Sequence, residues 1–62
     1  MNKEIKDMTA MELKEAIVDL QMDFQVESGK FFDKGNKSAG MRSRKNTLKL
    51  ERMYKEYRKK TV

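Results

Sequence analysis

Cysteine, histidine, proline and tryptophan are all absent from this chain of 62 residues. Without cysteine the chain cannot form a disulfide, and zinc sites without cysteine or histidine ligands are very unusual. A domain this short buries only about 60% of the surface of its unfolded chain, so it usually needs a disulfide, a metal or a partner subunit. Because the first two are missing, the composition points to oligomerisation or to a bound partner.

Long apolar stretches are also missing. No run of residues approaches the roughly 18 apolar residues of a membrane span, and no apolar core of a signal peptide follows Met1. The lack of cysteine is itself typical of the reducing cytosol. We therefore predict a cytoplasmic protein with no membrane partner.

Signatures of catalysis are absent too. The chain has no His or Cys to act as base or nucleophile, and its carboxylates recur with helical periodicity, which is typical of a solvated or interhelical face. The run at residues 35–38 contains a Lys-Ser pair, but it lacks the glycine spacing and the preceding strand of a phosphate-binding loop. We predict no enzyme activity, no cofactor, no metal site and no small-molecule substrate.

What the chain does contain is charge, and the charge is sorted by half. Residues 1–33 carry eight acidic residues and four lysines, whereas residues 34–62 carry eleven basic residues and only two glutamates. The formal net charge of +5 therefore hides an acidic half of −4 and a basic half of +9. Such an asymmetry is typical of proteins that bind a polyanion, most often a nucleic acid.

A helix start is predicted at Thr9. Thr9 and Glu12 have the spacing of a capping box, in which each side chain accepts a hydrogen bond from the other residue's backbone amide. Met8 and Leu13 flank this cap in the positions of a hydrophobic staple. These signals predict that the first helix begins at about residue 9.

The first helix is predicted to extend over about residues 9–33. Its apolar stripe recurs at spacings of four, three and four residues: Leu13, Ile17, Leu20 and Phe24. Gly29 has the residue type of a helix C-cap, which leaves a shorter helix as an alternative. We favour the longer helix because Phe31 and Phe32 need burial.

A turn and a second helix follow. Gly35 and Asn36 both tolerate positive φ, so the turn is predicted at residues 34–37. The second helix is predicted over about residues 38–60, with an inner stripe that changes from small to large side chains: Ala39, Ser43, Asn46, Leu50, Met53 and Tyr57. Because a short connection makes two helices antiparallel neighbours, we predict an all-α fold, a single helical-hairpin domain over residues 1–62.

Two helices alone cannot cover all the apolar side chains of this sequence. Phe31, Phe32, Met41, Leu48 and Tyr54 lie outside the two inner stripes or beyond their reach. We therefore predict a homodimer that forms a four-helix bundle. The predicted core and dimer contacts are Leu13, Ile17, Leu20, Phe24, Leu50, Met53 and Tyr57.

The cations of the second helix are candidates for binding nucleic acid. They recur at helical spacings and make a broad positive face, and phosphate contact requires charge rather than the geometry of base edges. We predict binding of double-stranded DNA, with RNA as an alternative, and no sequence-specific motif is present. The candidate residues are Lys37, Arg42, Arg44, Lys45, Lys49, Arg52, Lys55, Arg58, Lys59 and Lys60.

Several motifs occur together in residues 35–62. They are G-N-K at residues 35–37, R-x-R-K at residues 42–45, L-K-L-E at residues 48–51 and an aromatic-Arg-Lys run at residues 57–59. In this combination the segment resembles the bacterial linker-histone-like (chlamydial histone-like) family, whereas residues 1–33 match it only as a generic amphipathic helix. The resemblance implies nucleoid association, DNA compaction and a DNA-facing surface near Lys37, Arg42, Arg44, Lys45, Lys49, Arg52, Arg58 and Lys59.

The resemblance also implies a long lysine-rich tail, which better-known members of that family carry after this region. The sequence stops at Val62, directly after Lys59, Lys60 and Thr61. We expect the domain to dimerise and to bridge, with strong condensation depending on a tail.

Two alternative functions remain. The run from Glu4 to Leu13 is similar to the start of the ribosomal large-subunit protein that is a two-helix hairpin and binds rRNA. Residues 45–55 do not reproduce the V-R-R-x-I-A-R-x-K pattern of that protein, so the hypothesis of a ribosomal protein ranks second. The other alternative is a structural or virion adaptor whose basic face meets an acidic protein, and nucleic-acid binding in solution distinguishes it from the first hypothesis. The alternative location is a virion, in which the protein would be packaged with nucleic acid.

Overall fold

The computed structural model describes residues 3–62 and contains two long helices joined by a tight turn. Helix α1 spans Ala10–Lys34 and helix α2 spans Lys37–Lys60. A short 3-10 helix, Ile5–Asp7, precedes them and lies against α2. Residues 3–8 are called the N-terminal segment below. The predicted all-α, two-helix hairpin is confirmed, whereas the N-terminal segment was not predicted.

The start of α1 has the predicted capping box. The Glu12 amide donates to Thr9 Oγ1 at 3.1 Å, and the Thr9 amide donates to Glu12 Oε1 at 2.8 Å. Leu13 in the first turn is fully buried, and Met8 packs against the core that contains it. Two otherwise unpaired amides are thereby satisfied where the chain changes direction.

Only Gly35 and Asn36 lie between the two helices. Gly35 adopts φ 65°, the left-handed conformation that glycine takes without steric cost, and its amide donates to the Phe31 carbonyl oxygen at 3.0 Å. Asn36 then caps α2, since its side-chain oxygen accepts from the Ala39 amide at 3.1 Å. Helix α1 runs through Gly29 and reaches this turn without a break.

The core lies where the two apolar stripes meet. Its buried members are Leu13 and Ile17 of α1 and Leu50 and Met53 of α2, and Ala39 is fully buried near the turn. Partly buried side chains pack around this cluster: Ile5, Met8, Ala16 and Leu20. The N-terminal segment therefore completes one side of the core.

Three of the predicted core residues are less enclosed. Leu20 and Phe24 are half-buried, and Tyr57 remains 37% exposed. The reason is that the molecule is one layer of two helices, with a shortest dimension of 15 Å. Among residues 3–62 nothing packs over the side of the layer that lies opposite the N-terminal segment.

The two sides of this layer differ in chemistry. The charged face, across which the N-terminal segment lies, is made by Glu12, Asp19, Asp23, Glu27, Arg42, Lys45, Lys49 and Arg52. The opposite face has no acidic side chain; two cations line it, Lys37 and Arg44, and because its other residues are uncharged it is called the uncharged face: Gln21, Phe24, Gln25, Ser28, Phe31, Phe32, Gly40, Met41, Ser43, Thr47, Leu50 and Tyr54. Neither long helix is apolar enough to span a membrane.

Candidate nucleic-acid interface

Most of the predicted DNA-contacting side chains lie on the surface of α2. A helix of 24 residues is about 36 Å long, so its cations are spread along most of the molecule. Six of them are exposed and have no carboxylate within 4 Å among residues 3–62: Lys37, Arg44, Lys45, Lys49, Arg52 and Arg58. These six are called the unpaired cations below.

Three of the unpaired cations lie side by side. Lys45, Lys49 and Arg52 follow spacings of four and three residues, which puts them on one edge of the helix. Together with Ile5 and Leu48 they line a shallow depression of about 270 Å³. This edge adjoins the N-terminal segment on the charged face.

Lys55 and Lys59 make ion pairs within α2. Lys55 Nζ lies 3.7 Å from Glu51 Oε1, and Lys59 Nζ lies 3.3 Å from Glu56 Oε2. Both lysine side chains are largely exposed. Exposed pairs of this kind contribute little free energy, so both lysines can exchange the carboxylate for another anion.

Arg42 and Lys60, two of the predicted DNA contacts, make contacts within the molecule. Arg42 Nε donates to Glu27 Oε2 in the ion pair that joins the two helices. Lys60 Nζ donates to the Lys6 carbonyl oxygen at 2.7 Å and to the carbonyl oxygen of Met8. Helical periodicity predicted that both side chains lie on the cationic surface. It could not predict that Glu27 and the backbone of the N-terminal segment would accept hydrogen bonds from them.

Glu27 is the acidic side chain that sequence reasoning did not single out. It is only 6% exposed, and its other carboxylate oxygen, Oε1, lies 3.5 Å from Lys30 Nζ. The hydrogen bond from Arg42 holds the pKa of Glu27 below its ordinary value of 4.5, and the charges of Arg42 and Lys30 act in the same direction. Burial acts in the opposite direction, but it is the weaker influence.

Acid should weaken the fold through two glutamates. The pKa of Glu12 is also lowered, first by the Thr9 amide and then by Lys3. A carboxylate with a depressed pKa stabilises the folded state above its ordinary pKa, and that contribution is lost as the pH falls through the folded-state pKa. We therefore expect the urea midpoint to fall as the pH drops below the ordinary value of 4.5.

Two matched substitutions separate the contribution of Glu27 to the acid sensitivity from the contribution of the other carboxylates. Glu27→Gln should lower the urea midpoint at pH 7 and should reduce the further loss in acid, because the titrating partner of Arg42 is gone. Glu15→Gln makes the same chemical change on an exposed side chain with no ion pair in residues 3–62, and it should leave the midpoint within the scatter of the parent. If Glu27→Gln retains the full acid sensitivity of the parent, the ion pair does not support the fold.

The structure also brings two unpredicted cations next to α2. Lys3 and Lys6 of the N-terminal segment line an open groove with the C-terminal half of α2. Their position could have been predicted from Ile5 and Met8, two isolated apolar residues ahead of the capping box. Both pack against the core and fix the segment. From the sequence, Met8 was predicted to pack only as part of the hydrophobic staple, and no packing was predicted for Ile5.

A helical hairpin whose second helix carries exposed cations along its length defines a class of small, basic, all-α proteins. Within that class, the chain belongs to the family described as histone H1-like protein Hc1, whose family model matches residues 11–62. No match was found among curated proteins or among solved structures. The family match takes in nearly all of α1 as well as α2, so it extends well beyond the motifs at residues 35–62.

Family membership confirms the predicted linker-histone-like resemblance. It supports a DNA-binding, histone-like role in general, and the family is not one of enzymes.

Proposed function

We propose that this chain is a nucleoid-associated, histone-like protein that binds DNA without sequence preference, through phosphate contacts from α2. The observation that carries the proposal is the set of unpaired cations on one 24-residue helix. Each cation that meets a phosphate releases condensed counterions, and this contribution to the free energy of binding does not depend on the base sequence.

Several polar side chains of α2 are already hydrogen-bonded within the protein, which favours contact with phosphates over recognition of bases. Asparagine is one of the residues that recognise adenine in the major groove. Both asparagines at or in α2 already have partners, since Asn36 caps the helix and Asn46 Nδ2 donates to Asp23 Oδ2 at 2.8 Å. The hydroxyls of Ser43 and Thr47 likewise donate to backbone carbonyl oxygens of their own helix. The side chains of α2 without an internal partner are mainly cations, which meet phosphates through charge alone, and no amide side chain of α2 is left to pair with adenine.

Fluorescence anisotropy with duplexes of equal length and unrelated sequence tests this proposal. We expect affinities that agree within a few-fold, because phosphates are common to every duplex. A preference of roughly 10³-fold or more for one sequence would instead be the mark of specific recognition. A folded RNA and an acidic protein of similar charge serve as competitors, and displacement by either at lower concentration than duplex DNA would favour the alternative functions.

We further propose that the protein acts as a homodimer in which a second copy packs against the uncharged face, forming a four-helix bundle. No acidic side chain lines that face, and Lys37 and Arg44 are the two cations that line it. Phe32 is 80% exposed, and Phe31 and Tyr54 are each about two-fifths exposed. Apolar surface of this kind on so small a domain is typical of a subunit interface.

Mass measurements on a matched pair of variants test the dimer. Thr47→Glu puts a carboxylate in the middle of the uncharged face, and it should convert a particle of twice the 7.4 kDa chain mass into a single chain. Met22→Glu makes a comparable change on the outer side of α1, where Met22 is 62% exposed, and it should leave the mass unchanged. A parent protein that sediments as a single chain, or a dimer that survives Thr47→Glu, would rule out this interface.

A further inference from the structure

An open groove runs between the N-terminal segment and the C-terminal half of α2. Its volume is about 960 Å³. One wall carries Lys3 and Lys6, and the other carries Lys49, Arg52, Lys55 and Arg58. The groove is therefore lined by cations from two separate parts of the chain.

The wall formed by the N-terminal segment is held in place by contacts on both of its sides. Ile5 and Met8 pack against the core, and the Lys60 ammonium donates to the carbonyl oxygens of Lys6 and Met8. These contacts hold backbone atoms and so fix the position of the segment. Its lysine side chains make exposed ion pairs, since Lys3 Nζ lies 3.1 Å from Glu12 Oε2 and Lys6 Nζ lies 3.5 Å from Glu4 Oε2. Exposed pairs contribute little free energy, so both lysines can exchange the carboxylate for a phosphate.

The charge of the groove is strongly positive. Seven cations and two carboxylates line it. Both carboxylates already have a lysine nearby, since Glu4 Oε2 lies 3.5 Å from Lys6 Nζ and Glu56 Oε2 lies 3.3 Å from Lys59 Nζ. The Glu4–Lys6 pair is more than two-thirds exposed, so it contributes little and Lys6 can exchange Glu4 for a stronger anion.

We propose that this groove receives the phosphate backbone of one strand of duplex DNA, with Lys3 and Lys6 contacting it from the side opposite α2. The inference rests on the proposed function and assigns DNA contacts to the N-terminal segment as well as to α2. A convex helix can meet a strand from one side only. Cations on two walls can meet phosphate oxygens on both sides of the strand, which raises the number of counterions released per protomer.

Two double variants of equal charge test the groove. Lys3→Gln with Lys6→Gln removes two cations from its wall, whereas Lys14→Gln with Lys34→Gln removes two exposed lysines of α1 that do not line it. We expect the groove variant to lose roughly 10- to 100-fold in duplex affinity near 0.1 M salt and to flatten the slope of log K against log salt by about 1 to 2. The control should stay within a few-fold of the parent, and circular dichroism should show equal helicity for all three proteins.

Protection of lysine amines provides an independent readout. Acylation of the parent protein with and without bound duplex, followed by mass spectrometry, should show slower modification of Lys6 and Lys49 in the complex and unchanged modification of Lys14 and Lys34. Equal affinity losses in the two double variants, or no protection of Lys6, would overturn the groove while leaving DNA binding through α2 intact. A parent protein that binds no duplex at all would instead overturn the proposed function itself.

Discussion

Replacing Lys45, Lys49 and Arg52 together by glutamine should lower the affinity for duplex DNA by roughly 10²- to 10³-fold near 0.1 M salt. The three side chains share one edge of α2, are exposed, and have no carboxylate partner within residues 3–62. Each phosphate that is no longer neutralised removes close to one unit from the salt slope, so the three substitutions act together on affinity. The fold should be unaffected, because no internal ion pair is broken.

A charge-matched control makes this result interpretable. Lys14, Lys30 and Lys34 are the lysines of α1, and their joint replacement by glutamine removes the same net charge from the other helix. Lys30 lies 3.5 Å from Glu27, which keeps its ion pair with Arg42, and circular dichroism should show the helicity of the parent. We expect this control to bind within a few-fold of the parent in the same anisotropy titration. Equal reductions in affinity for the two triple variants would mean that DNA responds to net charge alone, and the assignment of the α2 edge would be wrong.

Replacing Leu13 by alanine should leave most of the protein unfolded at room temperature. Leu13 is the largest side chain that is fully buried, and it lies in the first turn of α1 where the capping box and the core meet. Leucine-to-alanine changes in a core cost about 2–5 kcal/mol. A core this small rarely supplies more than about 3–5 kcal/mol, so the loss is comparable with the whole stability of the domain.

Urea unfolding followed by circular dichroism measures this effect. Met11→Ala is the matched control, because Met11 lies two residues earlier in α1 but is 62% exposed. A substitution at such a surface position usually changes stability by less than about 0.5 kcal/mol. If Leu13→Ala kept the parent's urea midpoint, the contact between the N-terminal segment, α1 and α2 would not be the core of the domain.

Much of the hairpin could be predicted because its signals are local. Thr9 and Glu12 mark the start of α1, and Gly35 and Asn36 mark the turn, each through a hydrogen bond that involves residues at most four apart. The apolar spacing then identifies the buried sides of both helices, including Leu13, Ile17, Leu50 and Met53. Within residues 3–62, α1 and α2 each lie within one residue of their predicted bounds.

The features that could not be predicted depend on how α1, α2 and the N-terminal segment are aligned against one another. Glu27 follows the same periodicity as the exposed carboxylates of α1, and only the tight two-residue turn brings it opposite Arg42. The N-terminal segment is too short for a periodic apolar pattern to be recognised. Its position is set by the tertiary contacts of Ile5 and Met8 rather than by local propensity. For the same reason Arg42 and Lys60 could not be separated from the cations that remain unpaired.

The salt dependence of duplex binding tests the central claim most directly, namely that cations of α2 meet phosphates without reading sequence. With about five phosphates engaged per protomer, log K should fall linearly with log salt at a slope of about −4 to −5. Duplexes of unrelated sequence should give the same slope. A slope shallower than about −1, or slopes that differ strongly between sequences, would contradict the account.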